Sequence, residues 1–149
     1  MKFSHLNDKG EVQIVNISDK VLSHRIAEAS CAIYLENETI GKIINNEIKK
    51  GNVLTTAKIA GIMAAKNTDK TIPLCHQIQL TNIDLAFSIL ENKIEIFSKV
   101  ECIDKTGAEI EALHSVLIAA LTIYDMCKAV DKKMVIGEAK LCQKSKLSV

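Results

Sequence analysis

The most restrictive feature of the chain is a pair of alternating segments joined by three polar residues. In IQLTNIDLAFSIL (78–90), apolar side chains stand at Ile78 and Leu80, then at Ile83, Leu85, Phe87 and Ile89. In KIEIFSKVECI (93–103), they stand at Ile94, Ile96, Val100 and Cys102. A period of two places such residues on one face of a strand. The intervening ENK (91–93) is a tight turn, so the two segments predict a β-hairpin. The change of phase between Leu80 and Ile83 predicts a bulge near Asn82.

Around the hairpin the pattern changes period. Residues 107–131 are rich in Ala and Leu without a breaker, which predicts a long, mostly buried helix. Thr106 or Gly107 caps it, Glu109 and Glu111 suit its positive end, and Lys128, Lys132 and Lys133 suit its negative end. NVLTTAKIAGIMAAKN (52–67) reads as a second helix with Asn52 as N-cap. Its face of Ala57, Ala60, Gly61, Ala64 and Ala65 requires close packing by a neighbour. Residues 37–48 have helical spacing, with Ile40, Ile43, Ile44 and Ile48 apolar. SHRIAEASCAIYL (23–35) fits a helix or a strand, and the strand is preferred. IPLCHQ (72–77) is extended, as a residue before proline tends to be. MVIGEAKLCQK (134–144) closes as a strand, and EVQIVNIS (11–18) alternates well enough for a short N-terminal one.

The order from residue 23 is then β–α–(α)–β–β–α–β. With the small helix set aside, this is the split βαβ arrangement: an α+β, ferredoxin-like fold, βαββαβ, with an antiparallel sheet and helices on one face. No repeat or linker interrupts the chain, and 149 residues suit a single domain. Residues 1–10 and 145–149 are expected to be loose.

Composition narrows the function classes. A net charge of +1 supplies no field to recruit nucleic acid or an anionic membrane. The chain has one arginine, Arg25, the sole guanidinium for bidentate anion binding. Five cysteines, widely spaced and without a C-x-x-C, argue against a disulfide framework and a structural zinc site. They read as buried thiols in a reducing cytosol. The N-terminus shows no apolar signal core and no run approaches membrane-spanning length, so a cytoplasmic protein is expected.

The charged pair Asp125 and Lys128 lies in the apolar stretch LTIYDMCKAV (121–130). At i and i+3 the two share a helix face. Two readings stay open. One is a water-facing ion pair worth a few tenths of a kcal/mol. The other is a partly desolvated acid and base, with a lysine whose pKa has fallen toward neutrality. Glu111 lies fourteen positions upstream, about 21 Å along a helix. If both ends serve one small substrate, a second chain must supply one of them. Cys75 and His76 adjoin Pro73. Adjacency alone does not make a nucleophilic dyad, so either a buried Cys with a hydrogen-bonded His, or a His donating to an anion, is expected. Lys49 and Lys50 precede a helix start, a place that attracts anions. No nucleotide-binding glycine loop or metalloprotease motif occurs, so any phosphate site is built from dispersed Lys, Arg and His.

The segments KKGNVLTTAKIAGIMAAKNTDKTIPLCHQIQL, TGAEIEALHSVLIAALTIYDMCKAVDKKMVIGEAKL and SHLNDKGEVQIVNISDK together resemble the cyclic pyranopterin monophosphate synthase family, also called molybdenum cofactor biosynthesis protein C. The resemblance covers about residues 4–144. It implies conversion of a 3′,8-cyclised dihydroguanosine triphosphate to cyclic pyranopterin monophosphate with release of diphosphate, a phosphorus–oxygen lyase reaction. It implies no redox cofactor and no metal ligand set, with Mg²⁺ accompanying the triphosphate left open. It implies a homohexamer built from dimers, with sites at the dimer interface. Residue by residue it assigns Asp125, Lys128 and Lys50 to catalysis. It assigns Leu74, Cys75, His76, Ile110 and Glu111 to substrate binding, with Glu109 nearby and Arg25 at the triphosphate. Asn67, Gln77, Asn52 and Lys133 depart from the family pattern. The loss of a cation at residue 67 shifts phosphate binding onto Arg25, Lys50, Lys66 and His76.

Two rivals have other chemistry. The same βαββαβ order serves RNA recognition, but that use needs exposed aromatics on the central strands. Here KIEIFSKVE offers only Phe97, so no nucleic-acid partner is expected. A catalytically dead ligand sensor is the second rival, and the intact Asp125–Lys128 pair argues against it.

Overall fold

The computed structural model describes residues 6, 7 and 9–148. The hairpin forms as its alternation dictates. β2 (Leu80–Ile89) and β3 (Lys93–Asp104) pair antiparallel, with Leu90 N–H closing the turn on Lys93 O at 2.8 Å. The pairing slips between Leu80 and Asn82, so Thr81 is the extra residue of the bulge. Ile94, Ile96, Val100 and Cys102 are each fully buried on one face of β3. Ser98 shares that face and satisfies its hydroxyl by donating to Ala112 O at 2.8 Å.

The segment with two possible readings is a strand. β1 (Ser23–Tyr34) pairs antiparallel with both β3 and β4 (Val135–Ser148), giving the sheet order β2-β3-β1-β4. This is the ferredoxin-like order, α+β with an all-antiparallel sheet. Residues 145–148 belong to β4 and oppose residues 23–26, so the C-terminal end is not loose as expected. The expected strand over 11–18 is absent. Only an isolated bridge, Leu6 to Val12, forms there. Asn7 takes the N–H groups of Lys9 and Glu11 at 2.9 Å each, and this local turn competes with a strand. The remainder of the expected loose N-terminus, residues 1–5 and 8, lies outside the described residues, as does 149.

α1 (Asn37–Ile44) is shorter than predicted and drops Ile40 and Ile43 into the core. α2 (Val53–Lys66) starts on Asn52, whose side chain accepts from Thr55 N–H at 2.8 Å. A four-residue turn of helix, α3 (Thr68–Thr71), follows where no element is predicted. α4 (Glu109–Cys127) begins after Ala108 with no side-chain cap, so neither Thr106 nor Gly107 fills that role. It ends with Lys128 as C-cap, four residues before the predicted end at residue 131.

α2 and α4 run antiparallel over the same sheet face. Their contact depends on small residues: Ala57, Ala112, Val116, Ala119 and Ala120 are all fully buried. A Cβ on Gly61 would lie 2.9 Å from Ser115 O and 2.5 Å from a Leu85 methyl, so only glycine allows this approach. α4 has 19 residues and is apolar enough to cross a bilayer by length and composition, against the expectation that no run reaches that length. Here half of it is buried as the core helix. Buried Asp131 ties the far end together by accepting from Glu36 N–H at 2.8 Å and Lys133 N–H at 2.9 Å.

Candidate active site

The chemistry-bearing residues fall into two groups at opposite ends of α4. At its C-terminal end, Asp125 receives two lysines from different elements. Lys128 Nζ lies 2.7 Å from Oδ1, and Lys50 Nζ lies 2.7 Å from Oδ2 and 2.8 Å from the Asp125 carbonyl. Gly51, at φ +104°, lets the chain turn between Lys50 and the cap of α2. The tertiary fold therefore brings together three charges from two separate segments.

The cluster is exposed, with side-chain exposures near half: 54% for Asp125, 57% for Lys128 and 47% for Lys50. Of the two readings of the pair, the single chain shows the water-facing one. Both lysines hydrogen-bond the Asp125 carboxyl and hold it down at about 2. The same hydrogen bond raises Lys128 rather than lowering it, which corrects the expectation of a lysine brought toward neutrality. The physical reason is that the neighbour in reach of Lys128 is an anion, and the chain supplies no desolvating wall.

At the N-terminal end of α4 lies a cavity of about 640 Å³. Leu74, Cys75 and His76 line one side, and Glu109, Ile110 and Glu111 the other. Each of these six expected residues is in its wall. Glu111 is only 4% exposed. Burial pushes its carboxyl up to about 7, and the charges of Glu109 and Asp69 add to the rise. A carboxyl that stays protonated near neutrality is an acid and donor as well as an acceptor. Burial also raises the Cys75 thiol, with Glu111 and Asp69 acting in the same direction, so Cys75 is not an activated thiolate. It is half-buried and Cys142 is exposed, so not all five thiols are buried as expected; all five are free.

The two other cations expected at the phosphates, Lys66 and Arg25, flank this cavity instead of lining it. Lys66 borders a neighbouring cavity with Gln77 and Asp104 that shares Ile78 with the large one. Arg25 borders another, which shares Gly107 and Glu109. Among the described residues, no group of three or more His, Cys, Asp or Glu side chains is placed to hold a metal ion.

Among the lining residues that the sequence did not assign to the site, three come from the N-terminal stretch. Val15, Ile17 and Lys20 form part of the large cavity's wall. Within the stretch 11–18, Val15 and Ile17 turn toward the cavity while Val12 and Ile14 stay exposed, and no sheet forms. Lys105 Nζ anchors it on Ser18 O at 2.7 Å. The departures at Asn52 and Asn67 have structural work: Asn52 caps α2, and Asn67 Nδ2 donates to Met63 O at 2.8 Å as that helix ends. Lys133 pairs on the surface with Glu36 at 3.0 Å.

The two groups do not meet within one chain. Glu111 and Asp125 are fourteen residues apart on one helix, about 21 Å. Ile110, in the cavity wall, and Leu117 and Leu121, between the two groups, are exposed at 40%, 39% and 53%. At 100° per residue these three fall on one stripe with Lys128, and Asp125 flanks it. Ile59 and Met63 of α2 add 55% and 58% exposed apolar side chains.

Comparison with known proteins gives a consistent result. A family model described as MoaC family matches residues 14–146. Cyclic pyranopterin monophosphate synthase of Thermoanaerobacter pseudethanolicus is 49% identical over 147 residues, covering 97% of this chain and 93% of that protein. The synthases of the same name from Peptoclostridium acidaminophilum and Staphylococcus epidermidis are each 46% identical, covering 97% and 96% of this chain and 92% and 91% of their own lengths.

Proposed function

The chain belongs to the MoaC family, and on that premise we propose that it forms cyclic pyranopterin monophosphate from a 3′,8-cyclised dihydroguanosine triphosphate, releasing diphosphate. The reaction needs cations for a triphosphate, proton transfers while a purine ring opens and a pterin ring closes, and a base for a ribose hydroxyl. The observation that carries the reading is the convergence of Lys50 and Lys128 on Asp125, each at 2.7 Å.

Lys50 and Lys128 shuttle protons, and Asp125 orients both. Because Asp125 holds Lys128 protonated, Lys128 enters the cycle as an acid. It becomes a base only after it has given its proton to the substrate. Glu111, with its raised carboxyl, binds the base or moves a proton to ring nitrogen, and Glu109 assists. Leu74 and Ile110 form apolar walls around the ring, and His76 and Arg25 meet phosphates. Mg²⁺ accompanying the triphosphate would add to that neutralisation, and no step above is routed through it. A second copy of the chain laid over the exposed stripe of α4 brings its own Asp125 cluster to the cavity of the first, so that the working unit is a dimer within a hexamer. The enzyme acts in the cytoplasm as a phosphorus–oxygen lyase.

The test is turnover by folded Asp125→Asn and Lys128→Ala proteins. Each is expected to lose on the order of a hundredfold or more in kcat, the scale of a missing acid–base group. A normal rate of pterin formation from either variant rejects the assignment.

A further inference from the structure

Lys50 reaches Asp125 from a loop, not from a helix. The loop joins the end of α1 to the start of α2, and an asparagine stands at each end. Asn46 is at φ +56°, a left-handed conformation that asparagine tolerates better than most residues. Asn52 caps α2 by accepting Thr55 N–H on its Oδ1 at 2.8 Å. That bond fixes which way the amide faces, and its Nδ2 is left to donate to Asn46 Oδ1 at 3.0 Å. One side chain therefore starts a helix and ties the two ends of the loop together.

The loop has few other restraints. Ile48 is buried, and Gly51 N–H donates to Ile48 O at 2.9 Å. Lys49, Lys50 and Gly51 are exposed. Yet Lys50 Nζ sits at 2.7 Å from Asp125 Oδ2 and 2.8 Å from Asp125 O, so both bonds depend on where the loop is held. Misplacing a reacting group by about 1 Å can cost roughly a hundredfold in rate. Aspartate caps a helix as well as asparagine does, but a carboxylate has no hydrogen to offer Asn46. The amide at residue 52 thus supplies something that capping α2 does not require.

We infer that Asn46 and Asn52 are positioning residues for Lys50: the bond between their amides sets the loop so that Lys50 Nζ meets Asp125. That Lys50 moves protons rests on the reaction proposed above. That the two asparagines hold it in place rests on the loop.

The experiment is a cycle of aspartates, which keep the size of the side chain. In Asn46→Asp, the new carboxylate still accepts from Asn52 Nδ2. In Asn52→Asp, Asn46 can turn its amide and donate. Only the double variant sets two carboxylates face to face with no hydrogen between them. Asn46→Gly keeps the left-handed backbone and removes the bond without adding charge. The first measurement is the rate at which an amine-acylating reagent modifies Lys50 in the folded full chain, read by mass spectrometry against exposed Lys140. The double variant and Asn46→Gly should label Lys50 about fivefold faster than the parent, the scale of one lost hydrogen bond. Each single aspartate variant should stay within about twofold of it, so that the pair is strongly non-additive. Two added anions by themselves keep Lys50 protonated and slow its labelling, so a faster rate reports the loop and not the charge. The second measurement is turnover, where kcat should fall by a similar factor in the same two variants with KM little changed. The two ideas fail separately. Faster labelling of Lys50 with normal kcat rejects Lys50 as a proton carrier and keeps the clamp. Labelling and kcat unmoved in both the double variant and Asn46→Gly, or aspartate effects that simply add, overturn the clamp and keep the reaction.

Discussion

Glu111 makes the stability of the fold depend on pH. Its carboxyl rises from 4.5 to about 7 on folding, mainly through burial. As pH climbs, the unfolded chain ionises first and the folded chain resists. The favourable contribution is therefore whole below the unfolded value and lost as pH rises through the folded one. At 1.36 kcal/mol per unit the loss is roughly 3 kcal/mol at most. Glu109 and Asp69 face the same carboxyl and push in the same direction, while no cation contributes to its shift. Glu111→Gln keeps the shape and removes the ionisation. Denaturant midpoints of the parent should fall between about pH 5 and about pH 8, while those of the variant should move much less. Equal slopes for the two proteins reject this account. Asp131 illustrates the opposite balance. Burial works to raise it, but the N–H groups of Glu36 and Lys133 outweigh that and hold it below its ordinary value.

At the scale of elements, α4 carries two amphipathic duties at once. Its inner face is nearly all small or branched residues in the core, with Ala112, Val116, Ala119, Ala120 and Ile123 fully buried. Its outer stripe leaves Leu117 and Leu121 exposed between the cavity, where Ile110 continues the stripe, and the Asp125 cluster. An apolar stripe of this kind on a water-facing helix is a cost unless another surface covers it. Leu117→Glu with Leu121→Glu should therefore shift the protein toward monomer in sedimentation or light scattering. Far-UV circular dichroism should remain near that of the parent, because neither side chain is in the core. An unchanged oligomer distribution would place the interface elsewhere.

For the whole molecule, the separation of the two groups has a consequence that can be measured. If the site is shared between two copies, a cavity variant and a cluster variant repair each other. In a mixed dimer of His76→Ala and Lys128→Ala chains, one of the two sites has both halves intact. Unfolding and refolding an equimolar mixture should thus recover about a quarter of the parent activity, by random pairing in a two-fold assembly. Recovery no greater than the sum of the separate variants would argue for sites made within one chain. The hairpin at 80–104, α2 and the long α4 were legible in the amino-acid order, because each rests on local periodicity or composition, with the Asn52 cap marking the start of α2. Residues 74–76 and 109–111, which the family motifs grouped, line one cavity in the structure. The N-terminal stretch misled because alternation signals an apolar face without saying what the face covers, and Val15 and Ile17 cover a pocket. The register that sets Lys146 opposite Arg25 gave no signal, since a lysine has no local mark of what stands across the sheet from it. Sequence alone determined the hairpin, α2 and α4, and which residues have ionisable side chains. Only the tertiary structure decided that Lys50 reaches Asp125, that Asp125 and Lys128 face water in a single chain, and that Arg25 confronts Lys146. Those facts depend on register and packing between distant segments, and the free energy that fixes them arises only once the sheet and its helices are assembled.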